Sequence, residues 1–202
     1  MRACLFALLC ACGTAAAPAP IQPPAAPADP WPAQPDWVTE TIPFPLGFAP
    51  DIELQGVELL RFAPAFYDTS QPGYFTYAFV WIVEPPAVPV DAAWISTQLG
   101  RYFDGLCRAT ADEMVAGCDA TPTRVELVAT EARAFALADT TAWRVTLTTF
   151  DGFEANQPVT LDGTLEVGRC GSKLVLSAAL APASGALGTA LRAQAQAFAC
   201  PS

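Results

Sequence analysis

Apolar residues recur at every second position through several segments of this chain, and this period limits the folds open to it more than any other feature. The pattern predicts a strand over Gly56–Phe62 and a longer one over Tyr74–Glu84, whose two faces are both largely apolar. After residue 123 the same period returns in four segments, Val125–Leu127, Trp143–Leu147, Val159–Val167 and Leu174–Leu180. These later segments are predicted to form an antiparallel meander.

Two other segments have helical spacing. Asp91 is the predicted N-cap of a helix that runs through Cys107, and Ser184 precedes a terminal helix that ends at Cys200. Strands interrupted by single helices predict a single α+β domain, with one mostly antiparallel twisted sheet of about six to eight strands and two main helices packed on it. The pair Asp162-Gly163 could instead form a hairpin turn and split one strand into two.

The first 17 residues have the features of a secretory signal peptide. Arg2 supplies the positive end, residues 3–11 form a short apolar run, and Ala15–Ala17 are the small residues that a signal peptidase requires. Leu9–Cys12 resembles a bacterial lipobox, which would make Cys12 a lipidated N-terminus; cleavage near Ala17 without lipidation is the alternative. Both alternatives predict an exported protein of the periplasm or cell envelope.

Proline dominates the next segment and the start of the predicted domain. Residues 18–35 contain eight prolines and are predicted to form an extended tether. The domain is then expected to span residues 36–202. Within it, the prolines of Ile42–Pro50 forbid a helix or a central strand and predict a turn or an edge segment.

Four cysteines follow the signal region, and an even number in an exported protein predicts disulfides. Three pairings are open. Cys107 and Cys118 would close a short loop, and Cys170 and Cys200 bracket a predicted strand and helix, so these two pairs are favoured. A zinc site of four thiolates is the alternative, but these spacings lack the C-x-x-C pairs that such sites use.

The formal net charge of -10 limits the classes of partner. Phosphate backbones and anionic membrane surfaces would be repelled, so no nucleic-acid partner is predicted. Membrane contact is expected only through the N-terminal lipid anchor.

The chain contains no histidine, which excludes Ser-His-Asp and Cys-His catalytic pairs and metal sites that need imidazole. A Ser-Lys pair would have to use Lys173, the only lysine, which lacks an S-x-x-K context. No nucleotide-binding fingerprint is present. The sequence therefore assigns no catalytic residue, no cofactor and no metal.

Carboxylates are the remaining catalytic candidates. Asp51, Glu53, Glu58 and Asp68 lie in or beside the proline-rich opening and could face a common cleft with Arg61. Two carboxylates at a suitable separation are enough for glycoside hydrolysis. The alternative is that these residues belong to turns and to the wet faces of strands.

Aromatic residues supply the candidate binding surface. Phe66 and Tyr67 follow the first strand in a proline-containing loop, and with Arg61 they are the predicted contacts to a partner. The aromatic row of the next predicted strand is expected to be core instead. It comprises Phe75, Tyr77, Phe79 and Trp81.

The segment Ile42–Val83, IPFPLGFAPDIELQGVELLRFAPAFYDTSQPGYFTYAFVWIV, resembles the opening of a family of exported bacterial proteins of unknown function. That family has a similar FAP segment, a G-x-E-x-L-R-F-A-P segment, an aromatic strand and a final helix that ends in cysteine. The order of elements is also similar to that of the PsbP and Mog1 group of sandwich proteins. Neither resemblance implies an activity.

Together these features predict a non-catalytic binding or structural module of the cell envelope, whose partner is an envelope protein or a small ligand. The alternative function is a carboxylate-based hydrolase that acts on envelope glycans.

Overall fold

A computed structural model of the chain describes residues 29–111, 115–135, 137, 140–182 and 188–201. These residues form seven strands and three helices. The strands are β1 (Val38–Pro43), β2 (Gly56–Phe62), β3 (Tyr77–Val83), β4 (Arg124–Ala129), β5 (Thr141–Phe150), β6 (Pro158–Cys170) and β7 (Lys173–Pro182). The helices are α1 (Ala92–Thr110), α2 (Val115–Ala120) and α3 (Gly188–Gln196).

All seven strands belong to one antiparallel sheet, in the order β1-β2-β3-β7-β6-β5-β4. The first three strands form a meander from one edge to the centre. Helices α1 and α2 then carry the chain to the far edge, and β4 to β7 return as a second meander that meets β3. The α+β class and the antiparallel meander predicted from the sequence are confirmed.

The middle of the sheet is apolar on both faces. Every residue of β3 is buried, as expected for a central strand with cover on two sides. This strand begins only at Tyr77, because Phe75 has a positive φ of 46° and lies in the preceding loop.

β6 is continuous through Asp162-Gly163, so the hairpin alternative at that pair is wrong.

The edge segment predicted over Ile42–Pro50 contains the end of a strand that the sequence analysis missed. β1 covers Val38–Pro43 and pairs with β2 alone, with Glu40 opposite Leu60 and Ile42 opposite Glu58. Because almost all of its side chains are exposed, the sequence of this strand shows no alternation of apolar and polar residues.

Helix α1 covers what we call the front face of the sheet. Asp91 caps it as predicted, because its carboxylate accepts a hydrogen bond of 2.9 Å from the backbone N–H of Trp94. Gly105 lets the helix come close to the proline-rich segment, since a Cβ there would collide with the backbone oxygen of Phe48. This contact holds Phe48 against Tyr102, with their rings 5.2 Å apart.

Helix α3 and the segment Asp29–Trp37 cover the back face. Trp31 is fully buried between Phe135 and Phe198, and its Nε1 donates a hydrogen bond of 2.7 Å to the backbone oxygen of Gln194. The last part of the predicted tether, Asp29–Pro35, is therefore packed against the domain. The packed structure includes residues before Asp36, where the domain was expected to open.

The two favoured cysteine pairs are the ones that the structure forms. Cys107 and Cys118 join α1 to α2 with Cα atoms 5.9 Å apart, and Cys170 and Cys200 join the end of β6 to the C-terminal segment with Cα atoms 5.3 Å apart. Both spacings are ordinary for disulfides. The pairs indicate an oxidising compartment outside the cytoplasm.

We expect alkylation of the denatured protein to leave Cys107, Cys118, Cys170 and Cys200 unmodified before reduction and to label all four afterwards. The reason is that each sulfur is bonded to another. Peptide mapping by mass spectrometry measures the label at each position. Labelling of any of the four without reduction would contradict the pairing.

Several sequence predictions lie outside the described residues. They are the signal peptide over residues 1–17, the lipidation of Cys12, the first part of the tether and the cap at Ser184. Among the described helices, each is too short or too polar to cross a bilayer.

Candidate functional site

The loop between β2 and β3 contains the two aromatic residues that the sequence singled out. Its base is closed by a hydrogen bond of 2.9 Å from the Ala63 N–H to the Thr76 oxygen. Farther along, the Phe75 N–H donates to the Phe66 oxygen over 3.0 Å. Phe66 is buried beneath the loop, whereas Tyr67 is 57% exposed at its surface.

Beneath this loop, at the end of α1, lies a cavity of about 220 Å³ on the front face. We call it the aromatic cavity, because eight of the side chains that line it are aromatic. This volume is below the roughly 300–1,000 Å³ of sites for drug-sized ligands, so it suits a smaller molecule. The lining residues are Glu40, Ile42, Phe48, Leu60, Phe62, Phe66, Tyr67, Phe75, Tyr77, Tyr102, Leu106, Ala109, Thr110 and Phe153.

The walls of the aromatic cavity are held by contacts between rings. Phe66 lies edge-on to Phe62, Tyr77 and Phe153, with centroids 4.8, 5.8 and 5.4 Å away. Tyr67 contacts Phe153 at 5.6 Å. Edge-to-face contacts at these distances are favourable, so Phe66 is a fixed wall residue and Tyr67 forms an exposed rim.

Phe153 owes its position to a buried carboxylate in the loop after β5. Asp151 is completely buried and accepts hydrogen bonds from the backbone N–H groups of Phe153 and Ala155, at 2.8 and 3.0 Å. Nothing in the sequence placed Phe153 beside the loop of Phe66.

Glu58 lies behind the wall formed by Tyr77 and Tyr102. It is fully buried, and its Oε1 accepts a hydrogen bond of 2.9 Å from Trp81 Nε1. Burial away from water raises the pKa of Glu58 from 4.5 to about 7, an effect that the Trp81 bond and the Tyr102 phenol oppose and the charge of Glu40 reinforces.

Three buried polar side-chain atoms lack partners among the described residues: Glu58 Oε2, the Tyr77 hydroxyl and the Tyr74 hydroxyl. The Tyr102 phenol is close enough to lower the pKa of Glu58, but its geometry falls short of a hydrogen bond to Oε2. Tyr77 is itself a lining residue and only 1% exposed. Unpaired buried polar groups are costly, and they are expected where a ligand supplies the missing bond.

The rim of the cavity is acidic. Glu40 lines the cavity from β1, and a shallower depression of about 720 Å³ adjoins it along the same strand. That depression adds Asp36 and Asp68 and shares Phe66 and Tyr67 with the cavity. Neither set of lining residues contains a lysine or an arginine.

Arg61 does not belong to this site. It lies on the back face, 2% exposed, where its Nε donates a hydrogen bond of 2.9 Å to the Trp31 oxygen and its guanidinium carbon lies 4.8 Å from the centroid of the Trp31 ring. Asp29 accepts from Nη2 at 2.9 Å. The predicted binding role of Arg61 beside Phe66 and Tyr67 is therefore wrong, because this side chain fixes the N-terminal segment.

The four candidate carboxylates do not share a cleft with Arg61. Asp51, Glu53 and Asp68 are exposed, and Asp68 accepts hydrogen bonds from the backbone and hydroxyl of Ser70, which lower the pKa of Asp68. Only Glu58 is buried near the cavity. The carboxylate that does reach the cavity is Glu40, which the sequence analysis missed together with β1.

The remaining candidate chemistry has ordinary explanations. Lys173 forms an ion pair with Glu84, as expected for a cation at a strand end. The four cysteines of the zinc alternative are paired with each other. Within the described parts of the chain, no group of three or more cysteine, aspartate or glutamate side chains could hold a metal ion.

Comparison with known protein families, with characterised proteins and with solved structures finds no match to this chain. The resemblance of Ile42–Val83 to a family of exported proteins stays a prediction.

Proposed function

We propose that this chain is an exported, non-catalytic binding protein of the cell envelope, and that the aromatic cavity holds its ligand. The observation that carries the proposal is Tyr77, which lines the aromatic cavity and whose buried hydroxyl has no partner among the described residues. A cavity of this kind gains affinity from apolar contact and orientation from a few polar groups.

Export is supported by the signal-like start of the chain and by the two disulfides. Attachment to a membrane through Cys12 belongs to the same proposal and depends on the lipobox alone. The segment Asp29–Trp37 lies on the back face, whereas the cavity opens on the front face. A tethered domain would therefore keep its cavity accessible.

Binding is favoured over catalysis by the position of Glu58. The hydrolase alternative has support from its raised pKa, which suits a general acid, and from the nearby carboxylate of Glu40. However, Glu58 is absent from the cavity lining, and Tyr77 and Tyr102 separate it from that space. A general acid must come within hydrogen-bond reach of the group that it protonates, so this arrangement favours holding a ligand.

A neutral aromatic probe tests the site. We expect tert-butylbenzene to bind the exported protein and Tyr67→Ala to weaken that binding by about 3- to 10-fold, because one aromatic contact is worth about 0.5–1.5 kcal/mol. Saturation-transfer NMR titration measures the affinity. Since Tyr67 is 57% exposed, its loss should change the free energy of unfolding by only about 0.5 kcal/mol.

Val128→Ala is the matched control, because Val128 is also 57% exposed but lies on β4, at the other edge of the sheet. It should leave binding unchanged. If the probe does not bind the wild-type protein, or if both variants weaken it equally, the aromatic cavity is not the ligand site.

A further inference from the structure

The composition of the cavity carries information about the charge of its ligand. Aromatic rings present a negative face, and a cation within about 6 Å of a ring centroid is attracted to it. The rings of Phe62, Phe66, Phe75, Tyr77 and Tyr102 all line one small space. A neutral ligand would gain from the same rings by apolar contact, so the rings alone do not decide between the two.

The charged groups around the cavity favour a cationic ligand over a neutral one. Glu40 lines the cavity and Asp36 and Asp68 line the depression beside it, while lysine and arginine are absent from both linings. Glu58 adds a carboxyl group behind the wall. The whole chain carries a net charge of -10, which would raise the local concentration of cations further.

The unpartnered polar atoms also favour a positively charged ligand. The Tyr77 hydroxyl, on a lining residue, has an oxygen without a partner, and Glu58 Oε2 is an unpartnered carboxyl oxygen behind the same wall. When Glu58 is ionised, its carboxylate adds negative potential behind the wall without contacting the ligand. An anionic ligand would meet the carboxylate of Glu40 and receive no compensating cation from the walls.

We propose that the ligand of the aromatic cavity is a small organic cation, an ammonium compound with an apolar body. This inference rests on the proposed function, since it requires that the cavity binds a ligand at all. The rings would surround the apolar body and the ammonium group, and Glu40 would face the ammonium from the rim.

Two isosteric probes separate charge from shape. Trimethyl(phenyl)ammonium and tert-butylbenzene have the same form and differ in a positively charged nitrogen against a neutral carbon. At pH 8 and low salt we expect the exported protein to bind the cation at least about tenfold more tightly. Raising the salt to about 1 M should reduce this preference, because exposed charges such as Glu40 are then screened beyond about 3 Å.

Glu40→Gln is the variant that tests the rim. It should weaken binding of the cation by about 2- to 5-fold and leave tert-butylbenzene unaffected, because an exposed ion pair contributes modestly. Glu53→Gln is the control, since Glu53 is exposed and lines neither the cavity nor the depression. It should change neither affinity.

The pH dependence gives a second test, because neither probe titrates. The groups that face Glu58 are Trp81 and Tyr77 from β3, Tyr102 from α1 and Glu40 from β1. Burial holds the pKa values of Tyr77 and Tyr102 well above 10, so Glu58 is the buried group expected to change charge near pH 7. Affinity for the cation should rise severalfold from pH 6 to pH 8, and this rise should be absent in Glu58→Gln.

The outcomes distinguish the two proposals. Equal affinity for both probes, or tighter binding of tert-butylbenzene, would overturn the cation proposal and leave the binding function standing. Failure of both probes to bind would overturn the binding function itself. A preference for the cation that survives Glu40→Gln, high salt and Glu58→Gln unchanged would also overturn the charge assignment made here.

Discussion

Trp31→Ala is expected to lower the free energy of unfolding by about 3–5 kcal/mol, the usual cost of truncating a buried tryptophan. The side chain is completely buried between Phe135 and Phe198, and its Nε1 bonds to the Gln194 oxygen. Its loss would also remove the ring that stacks under the Arg61 guanidinium. Urea denaturation measures the change.

Pro32→Ala is the control for this substitution. Pro32 adjoins Trp31 in the same segment but is exposed, and its backbone oxygen would still accept the hydrogen bond from Gln194 Nε2. We expect a change within about 0.5 kcal/mol. If Trp31→Ala were equally mild, Asp29–Pro35 would be a tether after all and the back face would have another cover.

The ionisation of Glu58 is expected to cost the wild-type protein about 3 kcal/mol of stability between pH 4.5 and pH 7, and Glu58→Gln should not show this loss. The pKa of Glu58 is 4.5 when unfolded and about 7 when folded. The folded state therefore holds the proton more tightly, and the contribution of Glu58 to stability is fully present below pH 4.5. It falls as pH rises through this window and stays low above pH 7. Each unit of difference between the two pKa values corresponds to about 1.4 kcal/mol of stability.

The measurement is the free energy of unfolding of wild type minus that of Glu58→Gln at several pH values, because other groups cancel in this difference. Glutamine can still accept the bond from Trp81 Nε1. Glu53→Gln, at an exposed position, should give a difference that does not vary with pH across the window. A flat difference for Glu58→Gln as well would show that Glu58 is solvated in the folded protein.

The central elements could be predicted because their side chains alternate or repeat for packing reasons. Gly56–Phe62 coincides with β2, and Asp91 caps α1 as its spacing indicates. The disulfides could be predicted because Cys107 and Cys118 close a short loop, whereas Cys170 and Cys200 bracket a strand and a helix. β1 could not be predicted, because an edge strand with two exposed faces needs no apolar period. The packing of Trp31 could not be predicted either, because the proline-rich composition around it indicates an extended chain.

The predicted position of Arg61 could have been rejected from the sequence alone. Glu58 and Arg61 are three positions apart on a predicted strand, and side chains an odd number of positions apart point to opposite faces. A common cleft for the two was therefore incompatible with the strand itself. The cavity was beyond sequence reasoning for another reason, since it combines Phe66, Tyr102 and Phe153 from three separate elements.

The central claim is that the aromatic cavity binds a small ligand, and a crystal soaked in bromobenzene tests it most directly. Bromine scatters anomalously, so its position can be located without interpreting the surrounding density. The account predicts a bromine peak enclosed by Phe66, Tyr77, Tyr102 and Phe153. Bromine found only elsewhere on the protein, or these four side chains packed together with no space between them, would contradict it.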